Sequence, residues 1–393
     1  MKLLLLTNEF ALPVNAGGVR RQLGLVEALA ARHDVHMLAR EREADTPVEL
    51  VVELRRRLGA PVESFPARPA TWDTGKVATA QRWGRAIRRG APTWTERALS
   101  GELIARAREL APGFDAAITL DDTAHTYVEY AGSLVPFVLD KHNVLAWSRR
   151  VEGGLRPSAR LEHRLLAQWE ARTVDRAGAV VVTSDDEAER FRGLYGGAPT
   201  VVPSCIPPPV AVAAPADAPP AFVWLGDHRY GPNADGLLRF LRGAWEPLGA
   251  AGAQLLIAGR DPSAEVRELE RLPGVEILGF VDDLGALLGR CRGAVAPVWE
   301  GAGIKMKTLE LMGAGLPLAG TTVSFEGIAV QDGSDGLVAD DEAGLGAALR
   351  RLVDDPALAA RIGEAAHATI LRDHTWDSVV GRYDDALREA TGV

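Results

Sequence analysis

The residues best placed to do chemistry are two lysines and a carboxylate that follow a glycine turn: Gly301, Gly303, Lys305, Lys307 and Glu310. The apolar run 293–298 ahead of them predicts a buried strand, and Gly301 to Gly303 predict a tight loop at its carboxyl end. Residues 305–314 predict a helix, because Met306, Leu309 and Gly313 recur at spacings of three and four. Gly303, Lys307, Glu310 and Ala314 then share one face, and Gly315 and Pro317 end the helix. Glycine-loop amides and a helix amino terminus bind phosphate oxygens closely. A lysine adds a compact positive charge, and an inward carboxylate takes the two hydroxyls of a ribose. That set suits a nucleoside diphosphate. It suits equally a buried strand-loop-helix whose lysine and glutamate pair on the surface, and spacing alone does not decide between them.

These residues need a framework to aim them. Short apolar runs at 2–7, 35–38, 116–120, 135–139, 179–183, 221–225, 254–258 and 275–278 read as buried parallel strands, with helical stretches between them. The run 332–340 reads as a hairpin or short strand, 341–368 as two helices, and a last helix begins near Trp376. In open parallel sheets, ligands meet the carboxyl ends of strands. Gly17 and Gly18 follow the first strand, Asp121, Asp122 and His125 the strand at 116–120, and Asp140 to Asn143 the strand at 135–139. His125 and His142 are the two histidines singled out there, with His125 placed slightly ahead. Asp121 and Asp122 resemble a metal-binding pair, but strand-end carboxylates also cap helices. Ser184 is read as such a cap.

Composition bounds the function. A chain of 393 residues is long for one core and fits two domains. A net charge of −9 argues against a dedicated nucleic-acid binder. The two cysteines, Cys205 and Cys291, lie far apart without histidines at ligand spacing, so a reducing cytoplasm is the expected compartment. Residues 1–6 lack the features of a signal peptide, and no apolar run approaches the roughly 20 residues of a membrane span. Residues 71–100 interleave Trp72, Trp83 and Trp94 with arginines. Tryptophans packed on the domain under a solvated helix is the favoured reading there; peripheral contact with an anionic inner membrane face is the alternative.

Pro297, Gly301, Gly303, Ile304, Lys305, Lys307, Leu309, Glu310, Met312, Gly315 and Pro317 together resemble the donor-nucleotide motif of the retaining GT-B glycosyltransferases of family four, the group 1 transferases, in a bacterial branch. Residues 323–328 and the run Gly226, Tyr230, Pro232, Asn233 resemble further steps of that branch. The resemblance implies an α/β fold of the GT-B kind, two Rossmann-like domains facing each other across a cleft. Residues 1–207 would bind the acceptor, 208–220 form a Pro/Ala-rich linker, 221–375 bind the nucleotide sugar, and 376–393 form a helix crossing back. It implies transfer of a sugar from a nucleoside-diphosphate sugar, with no resident metal and no other cofactor, to a hydroxyl or amine of a polysaccharide, lipid-linked or secondary-metabolite acceptor. Lys305 and Lys307 would hold the diphosphate with Arg229 as a further cation, and Glu310 the ribose. Backbone at Phe280 and Val281 would meet the base, Gly17, Gly18, Gly226, Gly301 and Gly303 the donor, and a histidine the donor sugar. Glu300 would also serve the sugar, although it and Glu310 stand further apart than the family's paired glutamates. A nucleotide-sugar epimerase or hydrolase, and a silent nucleotide-sugar-binding partner of another transferase, are the alternatives.

Overall fold

The computed structural model describes residues 1–13, 17–41, 47–66, 75–95, 99–147, 156–212, 220–301 and 303–393. They form two compact units, Met1–Pro203 with Val379–Val393, and Ser204–Ser378. Trp72 and residues 213–219, most of the expected linker, lie outside the described residues.

The first unit holds a seven-stranded parallel sheet. Its strands are β1 (Lys2–Thr7), β2 (Asp34–Arg40), β3 (Val62–Phe65), β4 (Ala116–Thr119), β5 (Phe137–Lys141), β6 (Ala179–Val182) and β7 (Thr200–Val201). Their order is β3-β2-β1-β4-β5-β6-β7. Leu3, Leu4, Leu5 and Leu6 are wholly buried, as a strand covered by helices on both faces requires. The order reverses direction between β1 and β4, which opens a crevice at their carboxyl ends.

The second unit repeats the scheme with six parallel strands: β8 (Ala221–Leu225), β9 (Gln254–Ala258), β10 (Val275–Gly279), β11 (Gly293–Ala296), β12 (Leu318–Gly320) and β13 (Leu337–Val338). Their order, β10-β9-β8-β11-β12-β13, reverses between β8 and β11. Strand alternation divides the core: Phe222 and Trp224 join one cluster, Ala221, Val223 and Leu225 the other. The segment read as a hairpin or short strand is a short parallel strand, β13 against β12, reached through a turn bridged at Asp332 and Gly336.

The bounds of three elements differ from the expected ones. Strand β5 starts later than the apolar run and ends later, taking in Asp140 and Lys141. Both are fully buried, because each charge has a buried partner: Arg21 for Asp140 at 3.0 Å and Glu170 for Lys141 at 2.5 Å. Apolar counting stops at a charge, whereas a paired charge continues a strand. Gly17 and Gly18, read as loop, open the helix Gly17–Ala30, and Asn233 lies inside the first turn of the helix Gly231–Phe240.

No helix among the described residues is long and apolar enough to cross a membrane. Trp94 packs edge-on against the buried Trp169 at 5.1 Å between ring centres, in keeping with the packed-tryptophan reading.

Candidate functional site

In the second unit, strand β11 ends at Ala296, and the chain turns before the helix Met306–Gly313 begins. The turn depends on Gly301 at φ 115° and Gly303 at φ 78°, a region that side chains with a Cβ avoid. Lys305 sits at the N-cap of that helix. Its Nζ donates to the Gly303 carbonyl at 2.6 Å and pairs with Glu326 at 3.1 Å. Glu326 follows the short turn Thr322–Phe325, whose Ser324 is wholly buried and accepts, at its carbonyl, the Thr308 hydroxyl at 2.9 Å. Glycine turn, helix start and carboxylate are therefore tied together by one buried and two partly buried bonds.

Lys307, the second residue of the helix, points toward the end of β8. Its Nζ donates to Asn233 Oδ1 at 2.7 Å and lies 5.3 Å from the ring centre of Trp224. Burial, together with the nearby charge of Lys305, pushes its ammonium down to about 7. Asn233 is itself held by the Asp227 carbonyl at 3.2 Å. Glu310 is half-buried on the same helix.

Other expected residues fall nearby or outside. Gly226 follows β8, and a Cβ on Gly259 would fall on its carbonyl oxygen, so the chain just beyond the ends of β8 and β9 approaches as closely as backbone allows. Phe280 is exposed under Arg260 at 4.4 Å, and Val281 is partly buried. Glu300 is exposed on the turn. Arg229 corrects an expectation. Its side chain is 59 % exposed and committed to Asp227 at 2.6 Å and Asp261 at 3.6 Å, so it turns outward rather than joining the lysines. Asn233, Glu326 and His228, not picked out as site residues from the sequence, stand with the lysines or beside Trp224. The signal for His228 was its place three residues beyond a strand end.

In the first unit, the carboxyl ends of β1, β4 and β5 carry the polar residues. Asp121 accepts from the Thr7 hydroxyl and Asn8 amide through Oδ2, and from the Thr123 and Ala124 amides through Oδ1. It caps a turn, as a strand-end carboxylate commonly does. His125 is fully buried with Nε2 3.3 Å from the Asp140 carbonyl, and burial beside Lys141 holds its pKa well down. His142 has 18 % of its side chain exposed, and a Cβ on Gly18 would lie 3.6 Å from its Nδ1. His142, at the glycine pair, is the more exposed of the two histidines, because a shift of two residues along β5 brings it to the strand's rim.

Three buried carboxylates fix the backbone from His142 to Ala146. Asp122 accepts the His142 amide at 3.1 Å, Glu187 the Val144 amide at 2.6 Å, and Glu170 the Leu145 and Ala146 amides at 3.1 and 2.8 Å. Burial pushes Asp122 up to about 7 despite the charge of Lys141. Ser184 caps the helix Asp185–Tyr195 by accepting from the Glu187 amide, which sets Glu187 in place.

Comparison with known proteins bears on the two units in turn. A family model described as "Glycosyl transferase 4-like domain" matches residues 16–205, and one described as "Glycosyl transferases group 1" matches residues 219–355. The chain belongs to the group 1 glycosyltransferases. This family member is 35% identical over 138 residues to glycogen synthase of Mycobacterium tuberculosis, a match covering 33% of this chain and 33% of that protein. The chain thus spans about a third of the length of the curated relatives it matches. Among solved structures, Anabaena Alr3699/HepE in complex with UDP superposes with a TM-score of 0.70 at 14% identity, covering 98% of this chain and 99% of that one. Sucrose-phosphate synthase from Thermosynechococcus elongatus does so at 0.70 and 17%, covering 99% of each. At these identities the superpositions establish the shared GT-B fold.

Proposed function

We propose that this glycosyltransferase moves a sugar from a nucleoside-diphosphate sugar to an acceptor hydroxyl or amine, with the anomeric configuration retained. The observation that carries the reading is Lys307. Its ammonium is partly buried over Trp224 and, among the described residues, has a single hydrogen bond, to Asn233, close to the positive-φ glycine turn. A lysine pays heavily for such burial unless an anion joins it.

In this reading Lys305, Lys307, the amides of the glycine turn and the start of the helix Met306–Gly313 stabilise the departing diphosphate, where charge develops. Glu310 takes the ribose, Gly226 lets the donor approach, and the backbone of Phe280 and Val281 meets the base. Glu300 serves the sugar from the exposed turn. In the first unit His142, beside Gly17 and Gly18, serves the sugar end of the reaction, on a loop rigid enough to aim it. The departing phosphate assists removal of the acceptor proton, and no bound metal is needed. Relatives crystallised with UDP and with UDP-glucose support a nucleotide-sugar donor.

The test is thermal shift with UDP, GDP, ADP, dTDP and their sugars, beside Lys307→Ala and Glu310→Ala. A ligand at a hundredfold its Kd stabilises by about 2.7 kcal/mol. A shift with one base, lost in both variants, supports the donor site; no shift with any nucleotide sinks it. Donor consumed only when acceptor is present, with EDTA making no difference, separates a metal-independent transferase from a hydrolase or epimerase. NMR of the product's anomeric proton decides retention.

A further inference from the structure

His228 is a histidine without an occupation in the fold. It is 7 % exposed, yet neither ring nitrogen has a hydrogen-bond partner among the described residues. Its ring lies 4.8 Å from that of Trp224, the same indole that faces Lys307 Nζ, and its backbone amide is fixed to the Arg260 carbonyl at 3.3 Å. A Cβ on Gly259 would stand 3.2 Å from its Cδ2, so the ring also borders the close approach of β8 and β9. A buried imidazole with two unmet nitrogens is costly, and burial that serves only packing would have been met by an apolar residue. Arg229, the cation next in sequence, is engaged outside by Asp227 and Asp261.

We propose that His228 contacts a phosphate of the bound nucleoside diphosphate, and that His228 and Lys307 take up protons from solvent as the nucleotide binds. The inference rests on the nucleotide reading above and extends it to an unassigned residue and to the charge state of the site. Both groups are kept toward neutrality in the empty protein. Burial lowers His228, Asp227 and Asp261 oppose that, and Arg267 and Lys307 reinforce it; burial and then Lys305 lower Lys307. A diphosphate brought among them reverses the balance, because an adjacent anion favours the charged form of each. A site that is neutral when empty avoids holding several unpaired cations, and becomes cationic only when there is an anion to bind.

Isothermal titration of the whole chain with the nucleotide that gives the thermal shift, in buffers of different ionisation enthalpy, counts the protons exchanged. At pH 8 the expected uptake is up to about two protons per nucleotide; it shrinks as the pH falls through about 7, where Lys307 already carries its charge, and falls further as the pH drops through the lowered pKa of His228. His228→Gln should lower the proton count and Lys307→Arg should lower it separately. His228→Phe should weaken binding roughly tenfold or more, while keeping the thermal unfolding of the free protein. Tight binding with no proton uptake, or His228→Gln binding with unchanged affinity and proton count, overturns the proposal and leaves the nucleotide reading standing. Failure of every nucleotide to bind the unaltered protein overturns both.

Discussion

Replacing Glu170 by alanine should be among the most damaging single changes in the first unit. Its carboxylate is fully buried and accepts from Lys141 Nζ at 2.5 Å, the Tyr195 hydroxyl at 2.5 Å, and the Leu145 and Ala146 amides. Burial works against this carboxylate, yet Lys141, Tyr195 and the Ala146 amide outweigh it and hold its pKa below the usual range. Its stabilising share is therefore present above the ordinary glutamate pKa and is lost as acid takes the pH down through the lowered value. Removing one member of a buried ion pair costs about 3–5 kcal/mol, since the other charge is left without a partner. Each amide left unmet adds about 1–3 kcal/mol. A loss of about 5 kcal/mol or more follows, against total stabilities of about 5–15 kcal/mol. Urea unfolding followed by circular dichroism measures it as a fall in the first unit's midpoint, with the second unit's transition unmoved. The pair Lys141→Met with Glu170→Leu should recover part of the loss by removing both charges. A single-variant cost below about 2 kcal/mol, or a double variant no better than the single, refutes this reasoning.

Three further outcomes are expected. The raised pKa of Asp122 means that its contribution to stability is fully present below the ordinary aspartate pKa and disappears as pH rises through about 7. Thermal unfolding between pH 4 and 8 should show this decline, and Asp122→Asn should flatten it, since an amide oxygen still accepts the His142 amide. Gly259→Ala should destabilise the second unit by several kcal/mol, because its methyl would meet the Gly226 carbonyl, and should abolish the nucleotide-induced thermal shift. Ser184→Ala should cost about 1 kcal/mol for the lost cap and be read in the first unit's urea midpoint.

Legibility in the sequence followed the physics of each residue. Strands such as Leu3 to Leu6 and 221–225 announced themselves because parallel strands buried on both faces are continuous apolar runs. The glycine turn with Lys305 and Lys307 was legible because its residue types are constrained one by one. The rim position of His142 was hidden because Asp140 and Lys141 looked like the end of a strand. Only the distant partners Arg21 and Glu170 reveal that they lie within it. Arg229 looked available for a ligand because nothing local shows that Asp227 folds back on it. His228 was overlooked for a similar reason: its isolation from partners is a property of three dimensions.

The helix Trp376–Thr391 has a consequence for how the molecule is made. Asp384 receives His33 at 2.8 Å and Arg32, and a Cβ on Gly178 would touch Ala390. Residues 379–393 therefore complete a body whose remainder ends at residue 203. On the ribosome, the first 203 residues emerge long before their closing piece, and the whole second unit is synthesised in between. The nascent first unit must wait with Arg32, His33 and the surface around Gly178 uncovered until residues 379–393 have been made. A recombinant first unit cut at residue 203 would be frozen in that unfinished state, and one made for study would need residues 379–393 joined back to it.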